Sequence, residues 1–211
     1  MKRCIFFCVS LIAAAYLCAV EAEVVAVNGK VEIQTGGAWH TAMKGEKITA
    51  SSVISTGFKA TLTFKIDGST FTVNPLTRLK LKEIIQKENV VSSKVFLDTG
   101  SMKADVKPKT TEKVNFQVQT PIATASVRGT AGEISATGTL VSTQGVWEYQ
   151  NGTRVVYVPK DSSVVVNADD TIATGADALK TSAGMQTIAD VVPNISDIEP
   201  PVAVSTLEIE W

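Results

Sequence analysis

At 211 residues with a formal net charge of −1, the chain is long enough for one domain with a substantial core and a tail. Its charge balance excludes the basic footprint of a nucleic-acid-binding protein. Glycine is plentiful and Val, Thr and Ile recur in short runs, a composition that predicts an all-β chain.

The first residues are set apart. Met1-Lys2-Arg3 is basic, Ile5–Val20 is apolar, and Val20-Glu21-Ala22 places small residues at the −3 and −1 positions of a cleavage site. This pattern predicts a secretory signal over residues 1–22, cut after Ala22, that takes no part in the fold. The apolar run is 16 residues, shorter than the roughly 20 of a spanning helix, so no transmembrane span is expected in the mature chain. Lipid anchoring at Cys18 is disfavoured, because Leu17 before it is not a small residue. Cys4, Cys8 and Cys18 all lie in this segment. The mature chain is then expected to have no disulfide, thiol nucleophile or thiolate metal site.

From Glu23 to Val166 short alternating runs follow one another. Val25, Val27, Val31 and Ile33 alternate around Asn28-Gly29, and Thr35-Gly36-Gly37 predicts a turn before Trp39. The clearest half-buried strand is 60–66, with Ala60, Leu62, Phe64 and Ile66 facing one way and Thr61, Thr63 and Lys65 the other. Asp67-Gly68 predicts a tight hairpin turn, after which Phe71 and Val73 resume the alternation until Asn74-Pro75. Leu79 and Leu81 alternate with Arg78, Lys80 and Lys82, which predicts a strand with one wet face. Residues 83–93 have mixed periodicity and are read as strand and loop. Val95 and Leu97, then Met102, Ala104 and Val106, predict two more strands around Thr99-Gly100, and 107–113 is a polar connection. Residues 145–149 and 155–158, around Asn151-Gly152, and then 164–166 complete the series.

Residues 116–134 are the most distinctive stretch. Phe116 and Val118 face one way and Gln117 and Gln119 the other. Thr120-Pro121 breaks the strand, because proline has no N–H to donate. Val127-Arg128-Gly129-Thr130 then precedes another short strand. An arginine in so apolar a run is expected to hydrogen-bond carbonyls or a carboxylate at a turn. Read as a buried pin, its removal would cost a few kcal/mol.

Turns arriving about every 8–12 residues predict a sandwich, barrel or solenoid. The unit "turn, Gly, apolar-x-apolar" recurs at Thr56-Gly57, Thr99-Gly100 and Gln144-Gly145. Coils built this way would stack side by side around a shared interior. Residues 172–201 form an Ala- and Pro-containing linker with room for a short helix. Residues 202–211 alternate again and end on Trp211, predicting a strand that docks on its own domain or on a partner's sheet.

Taken together, these pieces resemble the FecR domain, named for the ferric-citrate signalling regulator of bacteria. The resemblance spans about 24–166. Its matching pieces include Asn28-Gly29-Lys30-Val31, Trp39, Gly45-Glu46, 54–57, 60–64, Asp67-Gly68-Ser69, Thr99-Gly100, 116–121, Val127-Arg128-Gly129-Thr130 and 144–146. It implies a short-stranded, β-solenoid or β-roll-like domain over 23–171, acting outside the cytoplasmic membrane. In the regulators such a domain relays a receptor's signal to a sigma factor. Only four residues precede the apolar run here, so fold and compartment, not that relay, are expected to carry over. The periplasm is the expected location, with the cell surface or secretion as alternatives.

No pattern of catalytic residues emerges. His40 is the chain's single histidine, no Gly-x-Ser-x-Gly elbow is present, and Asp67-Gly68-Ser69 lacks the spacing of a calcium loop. No enzyme activity, metal or cofactor is expected. Pro121, Arg128, Gly129 and Thr130, with Asp67 and Gly68, are read as structural signature residues. Trp39, Trp147, Tyr149 and Trp211 are candidates for an interaction surface, and Tyr157 joins three of them in a possible sugar-stacking set. Three functions follow as expectations: a module that binds an envelope protein partner, a binder of cell-wall glycan, or a structural part of an envelope assembly such as a filament coat.

Overall fold

The computed structural model describes residues 21–87, 89–107, 113–167 and 171–175. Residues 1–20 of the expected signal, the expected C-terminal strand 202–211 and most of the linker therefore lie outside the described residues, as does Trp211.

The described residues are all-β, arranged in two sheets. In chain order the strands are β1 (Ala22–Asn28), β2 (Val31–Thr35), β3 (Ala38–Thr41), β4 (Lys47–Ile48), β5 (Val53–Thr56), β6 (Thr61–Ile66), β7 (Ser69–Val73), β8 (Arg78–Lys87) and β9 (Val90–Thr99). They continue as β10 (Ser101–Asp105), β11 (Lys113–Gln119), β12 (Thr124–Val127), β13 (Ala131–Ser135), β14 (Leu140–Gln144), β15 (Val146–Asn151), β16 (Arg154–Pro159), β17 (Ser162–Val166) and β18 (Ile172–Thr174). Sheet A runs β18-β17-β14-β13-β10-β7-β6-β1-β4, and sheet B runs β16-β15-β12-β11-β9-β8-β5-β2-β3.

The pairing directions follow from strand counting. A chain that reverses at each turn makes neighbours antiparallel when they are an odd number of strands apart. Every neighbouring pair is an odd number of strands apart and antiparallel except β9 and β11; these are two apart, because only β10 intervenes in sheet A, and the same rule makes them parallel. From β5 onward the chain advances along both sheets together, visiting A and B in turn, mostly by hairpins.

The three recurring glycine units each mark a passage between sheets. Gly57 lies between β5 in sheet B and β6 in sheet A, Gly100 between β9 in B and β10 in A, and Gly145 between β14 in A and β15 in B. At Gly100 the backbone has φ +81°, and a Cβ there would overlap the Thr77 hydroxyl of the neighbouring passage. Asp67-Gly68, by contrast, closes a hairpin within sheet A. Ile66 pairs with Ser69, and the two turn residues have φ 47° and 81°, the two positive values that a tight hairpin turn demands.

Period-2 alternation fills the space between the sheets. β6 buries Leu62, Phe64 and Ile66, β7 buries Phe71 and Val73, and β11 buries Val114, Phe116 and Val118. Phe71 lies 5.1 Å from Phe64 and 4.4 Å from Phe116 by ring centroids, so one aromatic cluster joins the two sheets. The apolar residues of both sheets form one continuous core.

Three boundaries differ from the sequence reading. Residues 83–93 hold no long loop; β8 and β9 pair as a hairpin of 10-residue strands, because cross-strand pairing overrides weak local periodicity. Ile172–Thr174 extends sheet A beyond residue 171 by pairing with β17. Ala22 is fully buried in β1, opposite Ile48 and Ile66. A chain cut after Ala22 would keep the Val24 contacts of β1 but lose these.

Trp147 and Tyr149 are large core residues of β15. The Trp147 indole crosses to sheet A, where Nε1 donates to the Ala131 carbonyl at 3.3 Å. It lies on Gly132, whose missing Cβ would stand 2.8 Å from Nε1 and 2.7 Å from the Val141 carbonyl oxygen. Tyr149 donates its hydroxyl to the Gly138 carbonyl at 2.6 Å, and burial raises its phenol well above the ordinary range.

Two outcomes follow. Gly132→Ala should lower stability by about 2–4 kcal/mol in urea unfolding, because neither the indole nor the backbone can give way; an unchanged midpoint would show that the indole does not seat there. Tyr149 ionises near pH 10 in the unfolded chain and only above that when folded. Its contribution is therefore whole below about pH 10 and declines as pH rises past it, so unfolding midpoints measured across the alkaline range should fall, and fall less in Tyr149→Phe.

Candidate functional site

The signature stretch folds into a hairpin and a passage. β11 and β12 pair antiparallel, Phe116 opposite Val127 and Gln119 opposite Thr124. Between them Thr120 builds the turn. Its Oγ1 accepts from the Ala123 N–H at 2.9 Å, and its own N–H donates to the Ala123 carbonyl at 2.8 Å. Pro121 is exposed at the tip, where no N–H is required of it. Asn151 donates to the Ile122 carbonyl at 3.0 Å and ties this turn to the end of β15.

Arg128-Gly129-Thr130 then carries the chain from sheet B to sheet A. Gly129 has φ 128°. Thr130 is buried and its carbonyl accepts from the Val106 N–H at 2.9 Å, while its methyl fills the place that a Cβ on Gly145 would take. Thr130 thus packs one passage against the next.

Arg128 does not fill the role expected for it. The turn is there, but the side chain is exposed and makes no ion pair among the described residues. Backbone hydrogen bonds and the Thr130–Gly145 contact hold the passage, so it needs no charged pin. The guanidinium instead stands over the outer face of sheet B, beside a trough of about 500 Å³ lined by Asn115, Ser126, Val127, Arg128, Val146, Glu148 and Tyr157. At Asn115 and Ser126 the trough meets a smaller one of about 150 Å³ that adds Ser92, Lys94, Gln117 and Glu83.

Local pattern explains the make-up of this face. β11 and β12 turn their apolar residues inward, and β15 does so with Trp147 and Tyr149, which leaves Asn115, Gln117, Ser126 and Glu148 outward. β16 is the last strand of sheet B, and its outer edge has no strand partner among the described residues. Tyr157 on it is 66% exposed, and Val146 and Val155 are exposed nearby. Unpaired edge N–H and C=O groups next to an exposed aromatic are the elements from which strand-addition interfaces are built.

The other aromatic candidates separate. Trp147 and Tyr149 lie in the core and cannot contribute to a surface. Trp39 is 43% exposed on β3, at the opposite edge of sheet B from Tyr157. The four aromatics therefore do not make one sugar-stacking platform. Alternation along β15 was the available signal: Trp147 and Tyr149 share their phase with each other, but nothing local shows which face of the strand is inward. His40 is exposed on β3 with Nε2 2.6 Å from Glu46 Oε1, and Glu46 Oε2 accepts from the Met43 N–H at 3.0 Å, a turn-stabilising arrangement. Asp67 and Gly68 lie in the β6–β7 turn, away from the trough. Among the described residues there is no cluster of three or more His, Cys, Asp or Glu placed to hold a metal ion, and no helix long and apolar enough to cross a membrane.

Residues 52–148 match the family model described as FecR protein. The match begins just before β5 and ends within β15, so it takes in the passages at Gly57, Gly100, Gly129 and Gly145. Two crystal structures of a proposed anti-sigma factor from Parabacteroides distasonis share the fold. Each has a TM-score of 0.50 and 18% identity; one covers 63% of this chain and 63% of its own, the other 62% of each. The chain thus spans less than two thirds of those proteins' length. No curated protein matches.

Removing the exposed Arg128 side chain should leave the fold nearly untouched. Arg128→Ala is expected to change unfolding free energy by no more than about 0.5 kcal/mol in thermal or urea melts; a loss of several kcal/mol would show a buried, paired guanidinium.

Proposed function

From the premise that residues 52–148 of this chain form a FecR domain, we propose that the protein is a signalling-related regulatory module that works outside the cytoplasmic membrane by holding a protein partner, with no chemistry of its own. The observation that carries this reading is Arg128. A cation that neither pins the fold nor pairs with a described acid is available to a ligand, and it shares a trough with Tyr157 on a sheet edge that no described strand pairs. A partner strand added to β16 would satisfy the edge backbone groups, cover Val155 and Tyr157, and bring a carboxylate or carbonyl within reach of the guanidinium.

The solved structures that share the fold carry the name anti-sigma factor, which supports a regulatory role exercised on proteins. The basic start, the apolar run and the confinement of cysteine to the first 18 residues support export. The advance along two sheets, with a glycine at passage after passage, is solenoid-like in the sense that each unit stacks on the last. Stacking of this kind makes a stiff platform with broad outer faces, suited to a docking role.

The test is photo-crosslinking in cells that make the protein. A photoreactive residue at position 157 should give a discrete protein adduct that Arg128→Glu abolishes, while the same residue at position 65, on the outer face of sheet A, should give none. Absence of the adduct at 157, or equal labelling at both positions, would remove the basis for this reading.

A further inference from the structure

The other half of sheet B's outer face carries a second arrangement, separate from the Arg128 trough. β8 points Leu79 and Leu81 into the core and leaves Arg78, Lys80 and Lys82 exposed. Alternate residues of a strand stand roughly 6.6–6.8 Å apart, so the three cations follow one another along one face of β8, the last of them, Lys82, at a β-bulge against β9. Two of them are held by aromatic rings. The Arg78 guanidinium lies 5.8 Å from the Trp39 ring centroid, and the Lys82 ammonium 4.7 Å from that of Phe96. Lys82 also donates to the Gln119 side-chain carbonyl at 3.0 Å.

The kind of partner matters. A carboxylate would hold a cation and cancel its charge; a ring or an amide holds it and leaves the charge whole. Among the described residues none of the three makes an ion pair. The acids around the row are Glu32, which is 3.6 Å from Lys30, Glu83, which stands opposite Lys94 in the β8–β9 register, and Asp98 near the end of β9. The row is therefore a net positive line, and two of its side chains are already ordered before any ligand arrives, which lowers the entropic cost of binding.

We propose that this row docks an acidic strand of a partner protein, an extended segment with carboxylates on alternate residues. Such a segment repeats close to the spacing of alternate residues on β8, so its carboxylates can meet Arg78, Lys80 and Lys82 in turn. A charged membrane presents a two-dimensional array of headgroups, which a single row does not match. A sugar-acid polymer has a repeat of its own. The exposed part of Trp39, at the β3 edge, adds an apolar contact beside the first cation.

The experiment uses the full chain and three labelled twelve-residue peptides read by fluorescence anisotropy. One alternates Thr and Glu, one alternates Thr and Gln, and one has the composition of the first with its glutamates in adjacent pairs. The alternating Thr-Glu peptide should bind, the Thr-Gln peptide should not, and the paired arrangement should bind several-fold more weakly. Replacing Arg78, Lys80 and Lys82 together by Gln should weaken binding about tenfold, as expected for three exposed charge pairs, and Lys80→Gln alone by about twofold. Lys65→Gln with Lys103→Gln, on the outer face of sheet A, should change nothing. Circular dichroism verifies that each variant is folded. The proposal is overturned if no peptide binds, if both glutamate arrangements bind alike, if dextran sulfate or anionic vesicles compete as well as the alternating peptide, or if the sheet A variant weakens binding as much as the β8 variants.

Discussion

The passages between the two sheets are the constraint on which the rest of this molecule depends. They stack along two rims, those at Gly57 and Gly100 on one and those at Gly129 and Gly145 on the other, and hydrogen-bond to their neighbours. Gly57 N–H donates to the Lys30 carbonyl at 2.9 Å, Leu76 N–H to the Gly57 carbonyl at 3.2 Å, and the Ala136 N–H of the β13–β14 turn to the Gly100 carbonyl at 2.9 Å. Thr77 Oγ1 accepts from the Ser101 N–H at 3.1 Å and donates to its carbonyl at the same distance. Polar backbone at a turn must find partners once neighbours crowd out water. Here each passage supplies partners for the next, and only a residue without a Cβ lets them approach so closely at Gly100 and Gly145.

That spacing sets what the two sheets can do. With both rims held by passages, the inner faces meet at a distance filled by single side chains, as Phe71 against Phe116 and Trp147 against Gly132 show. Each strand spends its inward alternates on this core. Its outward alternates are then free of any structural duty, and they vary from one part of sheet B to another: a cationic row held by aromatics on β8, and a polar trough with an exposed guanidinium and tyrosine from β11 to β16. A protein without a cluster of reactive groups among its described residues can still present two chemically distinct stretches of outer face, because the sheet keeps exposed side chains in fixed relation.

Much of the fold was legible in the chain. Alternation at 60–66 and 102–106, the Asp67-Gly68 hairpin and the repeated glycine units follow from local stereochemistry, which a sequence displays directly. The Val127–Thr130 passage was legible for the same reason, since a glycine flanked by small and β-branched residues marks a place where backbone must pass close to backbone. The site was less legible. Arg128 looked like a buried pin because its neighbours are apolar, yet Val127 and Thr130 face the interior while Arg128 lies between them on the outside. Trp147 and Tyr149 looked available because alternation shows two faces without naming the inner one. Residues 83–93 looked irregular because the order there comes from pairing with a distant part of the same hairpin.

By itself the sequence determined the elements: which short runs are strands, where the chain must turn, and which residue types are available for chemistry. Those depend on φ/ψ preference and on the period of apolar residues, both local properties. Only the tertiary structure decided which face of each strand is inward, which passages stack, and hence which charges and aromatics meet solvent. Arg128 with Tyr157, and Arg78 with Trp39, are brought together across strands far apart in the chain. Such meetings depend on the order of strands in a sheet, and the periodicity of one strand carries no record of its neighbours.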